Sequence, residues 1–299
     1  MVNRLLVSFV FGVLFLSGLG VGAAGGDAAA SAKPVLTFAA VADIQYADKK
    51  TVGTRNYRES PTKLAHLATE MKKQTPPPAF IVGLGDFTDG QNGDVKKAKA
   101  DVETVAAAMK RVSLPWHYVL GNHDASAGRK LLAAAVGFTR LHYDFGVPGV
   151  KGWRFVVLDG NDAGYGIIGK EQLAWLKGVL DTAKAKGERV VCFCHFPLLK
   201  EASPQDHRMA KPEPILELLD RAGGVVAWIA GHDHLGGYVL RNGVHHLTIQ
   251  GMVETKDQNA FALVRIFSDH LSVVGFGRVP SRNLPLPPPS GTPPAVPGR

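Results

Sequence analysis

Short apolar runs that each stop at a polar cluster are the feature that most limits how this chain can fold. Val35 to Ala42 runs into Asp43, Phe80 to Leu84 into Gly85-Asp86, and Trp116 to Leu120 into Gly121-Asn122-His123. The rhythm returns downstream, where Phe155 to Leu158 ends at Asp159, Val190 to Cys194 at His195, and Val225 to Ala230 at Gly231-His232. Runs this short and β-rich read as strands. Between them, Pro61 to Gln74, Asp94 to Arg111, Lys170 to Lys186 and Pro214 to Arg221 repeat apolar residues at three- and four-residue spacing, the period of a helix with one buried face. Strand, helix, strand is the order of an α/β fold. After Gly231 the helical spacing stops. Tyr238 to Arg241, Val244 to Gln250, Phe261 to Phe267 and His270 to Phe276 read as successive strands, which predicts a second, antiparallel-rich sheet packed on the first. With no internal repeat and no linker, one domain over residues 35–284 is expected.

Both ends fall outside that domain. Met1 to Arg4 is a basic start, Leu5 to Val21 is an apolar run broken only by Ser and Gly, and small residues follow to Ala32. This is the pattern of a signal peptide over residues 1–32, so the chain is expected to be exported, periplasmic or secreted, with an N-terminal membrane anchor as the alternative. Pro285 to Arg299 carries seven prolines among small residues, too little apolar surface to fold, and reads as a disordered tail over residues 285–299. The folded part is another matter: 45% of the whole chain is apolar and only 20% charged, which excludes disorder throughout. The net charge is +8, and loss of residues 1–32 leaves it unchanged because Arg4 and Asp27 go together. Such a balance suits an anionic substrate, while the scattered placement of the basic residues argues against nucleic acid as a partner. Cys192 and Cys194, two apart on one strand, are badly placed to bridge, so no disulfide is expected.

The polar clusters have a common chemistry. Asp43-Ile44-Gln45, Gly85-Asp86 with Asp89, Gly121-Asn122-His123-Asp124, His195 and Gly231-His232-Asp233-His234 supply carboxylate, amide and imidazole at strand ends. Two divalent cations about 3.5–4 Å apart need a bridging carboxylate and several N and O ligands on each side, and this set can provide them. Each member alone has a plainer reading. Asp43 and Asp86 could be turn or cap residues, Gln45 a backbone-bonded amide, His195 a packed histidine, and His232-x-His234 a polar strand edge. Their joint order after apolar runs is what favours metal binding.

That order, D-x-[HQ], G-D-x-x-D, G-N-H-[DE], H, G-H-x-H, resembles the calcineurin-like metallophosphoesterase superfamily. Within it, Ala42 to Asp48 with Gln45 in place of the usual His, Gly231 to Tyr238, Gly243 to His246, Gly251 to Thr255 and Gly275 to Pro280 are similar to the manganese-dependent ADP-ribose/CDP-alcohol diphosphatase group. The resemblance covers nearly all of residues 36–284. It implies a two-layer β-sandwich flanked by α-helices with a dinuclear metal site at the strand ends. One metal would be held by Asp43, Gln45, Asp86 and His234, the other by Asp86, Asn122, His195 and His232, with Asp86 bridging. His123 would stabilise the pentavalent phosphorus or protonate the leaving oxygen, and Asp124 would orient its ring. Between two cations a bridging water loses a proton near neutral pH, and the hydroxide attacks phosphorus in line. An amide oxygen is a harder ligand than an imidazole nitrogen, so Gln45 shifts the preference from zinc toward manganese, with iron, zinc and magnesium as the other candidates.

The implied activity is hydrolysis of the pyrophosphate bond in small nucleoside diphosphate-linked compounds. Phosphomonoester or cyclic or linear phosphodiester hydrolysis on the same fold is the alternative, and an exported, non-catalytic metal-binding protein is a third reading. Arg55, Tyr57 and Arg58 could reach a distal phosphate or stack on a base, or could form a solvated loop. Asn161, Asp162 and Tyr165 could shape a ribose or base pocket or serve only as turn residues. One of His245 and His246 must face inward on its strand, as a packed histidine or a phosphate contact.

Overall fold

The computed structural model describes residues 33–287; the expected signal peptide and the proline-rich segment beyond Pro287 lie outside them. In chain order the strands are β1 (Leu36–Val41), β2 (Ile81–Gly83), β3 (Trp116–Tyr118), β4 (Tyr143–Phe145), β5 (Trp153–Val157), β6 (Arg189–Phe193), β7 (Val225–Ala230), β8 (Gly237–Arg241), β9 (Val244–Thr248), β10 (Ala260–Ile266), β11 (His270–Gly277) and β12 (Arg282–Pro285). The helices are α1 (Ser60–Lys72), α2 (Val95–Lys110), α3 (Asn122–Val136), α4 (Lys170–Ala185) and α5 (Glu213–Ala222). Two six-stranded mixed sheets result, ordered β12-β11-β10-β1-β2-β3 and β4-β5-β6-β7-β9-β8. The expected α/β sandwich with flanking helices is the observed fold.

The apolar runs explain the layering. Alternate residues of β1 point to opposite faces. Phe38 and Ala40 join the core between the sheets, while Ala39 and Val41 meet the helices. The inter-sheet core is built around Phe38, Phe80, Phe155 and Phe193, with the Phe38 and Phe80 rings stacked at 5.0 Å. Leu64, Leu67 and Met71 of α1, with Val102, Val105 and Met109 of α2, cover the first sheet. Leu176 and Leu180 of α4 and Ile215 and Leu219 of α5 cover the second. Cys192 and Cys194 are buried, unbridged members of that second helix-facing core.

The late strands do not form the separate antiparallel sheet expected of them. β9 pairs parallel with β7 and β8 closes its outer side, whereas β10 pairs antiparallel with β1 and is followed outward by β11 and β12. The parallel arrays β1-β2-β3 and β5-β6-β7 leave one side of β1 and one side of β7 without a partner, and both strands are buried throughout. Buried backbone N–H and C=O groups must be paired, so the late strands divide between those two edges.

Three further differences are local. α3 begins at Asn122, inside a segment read as a strand-end loop, and is interrupted by Gly128 at φ +115°. β4 was not anticipated. Pro285 and Leu286, read as the start of the tail, instead belong to the fold: Pro285 ends β12 opposite His270, and the Leu286 N–H donates to the Asp269 carbonyl at 2.7 Å. Leu284 and Leu286 are buried. Among the described residues no helix is long and apolar enough to cross a membrane.

Candidate metal centre and active site

Asp43 and Gln45 follow β1, Asp86 follows β2, Asn122 and His123 open α3 just after β3, His195 follows β6, and His232 and His234 follow β7. Ligand-type residues thus gather beyond the carboxyl ends of parallel strands, the usual place for a site in such sheets. The turns that carry them are strained. φ is +51° at Asp43, +39° at Gln45, +55° at Asp86 and +69° at His232. Non-glycine residues seldom adopt this left-handed region, at about 1–3 kcal/mol each, and the surrounding structure holds them there. The Asp43 N–H donates to the Gly85 carbonyl at 3.1 Å, and the Gln45 N–H to the Asp86 carbonyl at 2.8 Å. The His232 N–H donates to Asp43 Oδ2 at 2.9 Å.

Two glycines of the motifs have steric reasons to be glycine. At Gly85, with φ +95°, a Cβ would lie 2.6 Å from His195 Nδ1, and at Gly121 it would lie 2.0 Å from Asp86 Oδ1. Side chains there would occupy the cluster itself.

All seven expected ligand residues come together. His195 Nε2 lies 3.2 Å from Asp86 Oδ2 and 3.1 Å from Asn122 Oδ1. His232 Nδ1 is 3.1 Å from His195 Nε2, and His234 Nε2 is 3.3 Å from Asp43 Oδ1. Gln45 Nε2 donates to Asp86 Oδ2 at 3.3 Å, so Asp86 stands between the Gln45 side and the His195 side. Ligand atoms of Asp86, His195 and His232 lie within 4.8 Å of one another. Whether this set fits cations can be tested on its oxygens. Gln45 Oε1 is buried without a hydrogen-bond partner, and Asp43 Oδ1 meets only the His234 imidazole at 3.3 Å. A buried oxygen left unpaired is costly unless a cation meets it, and a donor set of carboxylate, amide and imidazole suits hard to borderline divalent ions. The residues fit.

Each imidazole is also fixed from outside. His195 Nδ1 is 2.7 Å from the Leu84 carbonyl, His234 Nδ1 is 2.7 Å from Glu254 Oε1, and His232 Nε2 is 2.8 Å from the Tyr165 hydroxyl. Partners on the far nitrogen fix ring orientation and tautomer of metal-binding histidines. Burial alone would raise Asp86, but the His195 imidazole beside it, with His123 and His232 further off, holds the carboxyl below its usual range. His234 is pushed down by burial and more strongly up by Asp43 and Glu254, ending at about 9. His232, half-buried and facing His195, is pulled down to about 3 by desolvation and by that neighbour.

His123 lies beside Asp86, but Asp124 does not orient its ring. His123 Nδ1 lies 2.8 Å from the Asp89 carbonyl, and its backbone N–H donates to Asp86 Oδ1 at 2.8 Å. The fully buried Asp124 carboxylate instead accepts the N–H groups of Phe87 at 2.9 Å, Thr88 at 3.3 Å and Gly121 at 3.1 Å. Successive helical residues point about 100° apart, so Asp124 faces the Asp86 loop and positions it. Burial and the Asp86 charge push the Asp124 carboxyl upward against those three N–H groups.

The expected substrate contacts divide. Arg55 borders the site, 3.6 Å from Glu254, and lines a cleft of about 260 Å³ with Val52, Thr54, Gln205, His207, His234 and Leu235. Tyr57 is not available to a base: it is 3% exposed, packed with Ala47 and Val253 and covered by the Lys49 ammonium 4.1 Å from its ring. Arg58 pairs with exposed Asp48 at 2.7 Å and joins neither the cluster nor the cleft. Asp162 caps the Gly169 N–H, whereas Tyr165 reaches the cluster. His245 bonds the Tyr238 hydroxyl and the Pro285 carbonyl, and His246 is buried in the fold, so neither belongs to the site.

Sequence reading missed Glu254, the Asp89 carbonyl and His207. Asp233, the middle residue of the Gly231-His232-Asp233-His234 turn, accepts from Ser203 Oγ and the Gln205 N–H at 2.8 Å each, which pins the loop that brings the His207 ring to 5.6 Å from His232. A larger cavity of about 450 Å³ between α2 and β3, lined by Met109, Trp116 and Val136, holds no such cluster.

The family model for calcineurin-like phosphoesterases matches residues 36–236, more than half of the chain. The chain belongs to the calcineurin-like phosphoesterase family. Its curated relatives include manganese-dependent ADP-ribose/CDP-alcohol diphosphatases from Xenopus tropicalis, 28% identical, and Mus musculus, 27% identical. Each match covers 84% of this chain and 94% of the relative. A solved dimetal phosphatase from Danio rerio has a TM-score of 0.75 at 26% identity, covering 85% of this chain and 100% of that one. This calcineurin-like phosphoesterase is a metal-dependent phosphoester hydrolase whose strand-end cluster is its candidate metal centre.

Proposed function

We propose that this phosphoesterase is an exported, manganese-preferring enzyme that hydrolyses the pyrophosphate bond of nucleoside diphosphate-linked compounds such as ADP-ribose or CDP-alcohols. The observation that carries the reading is the cleft opening on His234, where Arg55, Gln205 and His207 share the walls with apolar Val52 and Leu235. A substrate with a second phosphate and a flat or aliphatic group needs that mixture, and a simple phosphate monoester does not. The names of the relatives agree with it.

Asp43, Gln45, Asp86 and His234 would hold one cation, and Asp86, Asn122, His195 and His232 the other. Gln45 Oε1, buried and without a partner, is the hard oxygen that favours manganese. When bound, the two cations supply positive charge for the phosphate oxygens and lower the pKa of water so that hydroxide is available near neutral pH. The Asp89 carbonyl accepts from His123 Nδ1, so the doubly protonated ring would give its Nε2 proton to the departing phosphate oxygen and remain as the neutral imidazole protonated on Nδ1. Asp124 keeps the Asp86 loop in register through its three N–H contacts. Water is added across one P–O bond, giving a nucleoside monophosphate and the second phosphorylated fragment. Export is supported by the basic Met1–Arg4 start and the apolar run to Val21. Cell fractionation with N-terminal sequencing tests it, and a full-length cytoplasmic chain would overturn it.

The substrate test is hydrolysis of ADP-ribose, CDP-choline and a nucleotide sugar by chelator-treated protein with added manganese, beside p-nitrophenyl phosphate and its bis ester. Manganese-dependent release of nucleoside monophosphate is expected, falling about 10²- to 10⁴-fold in His123→Ala. Cleavage of only the simple esters would replace this reading with phosphomonoester or phosphodiester hydrolysis.

A further inference from the structure

The three histidines of the cluster are oriented by groups of different kinds, and one of these stands apart. The Leu84 carbonyl and Glu254 are buried, but Tyr165 is 57% exposed, on a loop punctuated by Gly160, Gly164, Gly166 and Gly169. We propose that Tyr165 is a positioning residue that turns His232 toward the metal pair, and that Arg129 latches the loop carrying it. The inference rests on the reading of the cluster as a site for two cations.

His232 presents Nδ1 to the cluster, 3.1 Å from His195 Nε2. A neutral imidazole with its Nδ1 lone pair turned inward carries its proton on Nε2, so Nε2 donates to the Tyr165 oxygen 2.8 Å away. The phenol's own proton is then left for an oxygen in the open site. Phe196, fully buried, supports both rings, 5.2 Å from Tyr165 and 4.6 Å from His232 by ring centroids. An exposed tyrosine on a glycine-rich loop would ordinarily leave its hydroxyl in water; this one is directed at a ligand-type histidine.

The loop is held at its base by α3. The Arg129 guanidinium pairs with buried Asp159 and donates to the Asn161 carbonyl at 2.6 Å. Gln172 fixes Asp159 in turn, accepting its N–H at 2.9 Å and donating to its carbonyl at 3.0 Å. On the far side the Ala210 N–H donates to the Gly166 carbonyl at 2.9 Å. α3 also begins with Asn122, so the latch connects two elements that serve the same cation, the one assigned to Asn122, His195 and His232. Its loss should be felt at that ion and not at the one assigned to Gln45 and His234.

The test is manganese titration of the metal-free full chain by calorimetry and by the EPR signal of free Mn²⁺, for wild type, Tyr165→Phe and Arg129→Met. Tyr165→Phe should weaken one of two binding events by about 10- to 100-fold and leave the other at wild-type affinity. Turnover should recover at saturating manganese. Arg129→Met should weaken the same event by a smaller factor. Wild-type affinity at both events in Tyr165→Phe, or equal weakening of both, would overturn the proposal. A wild-type protein that binds both ions yet cleaves no diphosphate would sink the substrate reading alone and leave the titration to decide this one.

Discussion

The two halves of the cluster are held by different chemistry. On the Gln45 side His234 is backed by Glu254, a carboxylate with Arg55 3.6 Å away. The segment carrying Glu254 is tied down by buried Lys63, whose ammonium donates to the carbonyls of Met252 at 2.6 Å, Glu254 at 2.9 Å and Thr255 at 2.6 Å. Arg278 adds bonds to the Gly251 and His234 carbonyls at 3.1 and 3.2 Å. Burial works against the charge of Glu254, yet His234 and neighbouring groups hold its carboxyl at about 2, while burial and Arg278 lower Lys63 to about 8. On the Asn122 side the outer partners are a carbonyl and a phenol, both neutral, and the phenol is exposed. A carboxylate behind an imidazole makes it a more basic ligand than a neutral acceptor does. The first half is thus backed by a network of charge beside the cleft, and the second by neutral partners, one of them exposed.

The strongest way to break that comparison is to remove what the halves share. Asp86→Asn should abolish tight binding of both ions and lower kcat by about 10⁴-fold, some 5 kcal/mol, as measured on the best diphosphate substrate. A smaller change sharpens it. Glu254→Gln should weaken manganese by about 10- to 100-fold at one event only, the event that Tyr165→Phe leaves intact. The double variant should then show both weakened events, each close to its single-variant value, because the two partners touch different histidines.

The smallest effect lies outside both halves and separates cluster charge from core charge. His246 is buried with neither ring nitrogen bonded, and burial, with Arg241 nearby, lowers it to about 4. Burial likewise lowers His117 to about 4. Both folded values lie below the ordinary histidine value, so the unfolded chain takes up protons first as the pH falls. Stability from these two groups is complete above about pH 6.5 and is lost on descent toward pH 4. Tm of the chelated protein should drop by a few degrees over that window, and His246→Phe should flatten part of the drop.

The residues that gather at the strand ends were legible in the sequence because each is marked locally: an apolar run, at Asp86, Asn122 and His232 a glycine, then a carboxylate, amide or imidazole. The orienting partners were not legible. Glu254 lies 20 residues from His234 and Tyr165 lies 67 from His232, and the Asp89 contact is made by a backbone carbonyl that has no signature in side-chain identity. Asp124 was misassigned to His123 because adjacency in sequence is not adjacency on a helix. Tyr57 was misread for a related reason: its polar neighbours Asn56 and Arg58 conceal that its ring packs against Val253. At the level of the fold, the layers followed from the apolar runs. The distribution of the late strands did not, since it depends on which buried edges of β1 and β7 still lack partners.

The central claim is a pair of cations bridged by Asp86 with the Gln45 amide oxygen as a ligand. Crystals grown with manganese and measured for anomalous scattering test it most directly. The account predicts two manganese peaks about 3.5–4 Å apart, one on each side of Asp86, with Gln45 Oε1 and His234 on one and Asn122, His195 and His232 on the other. A single peak, or two peaks with Gln45 turned away from both, would contradict it.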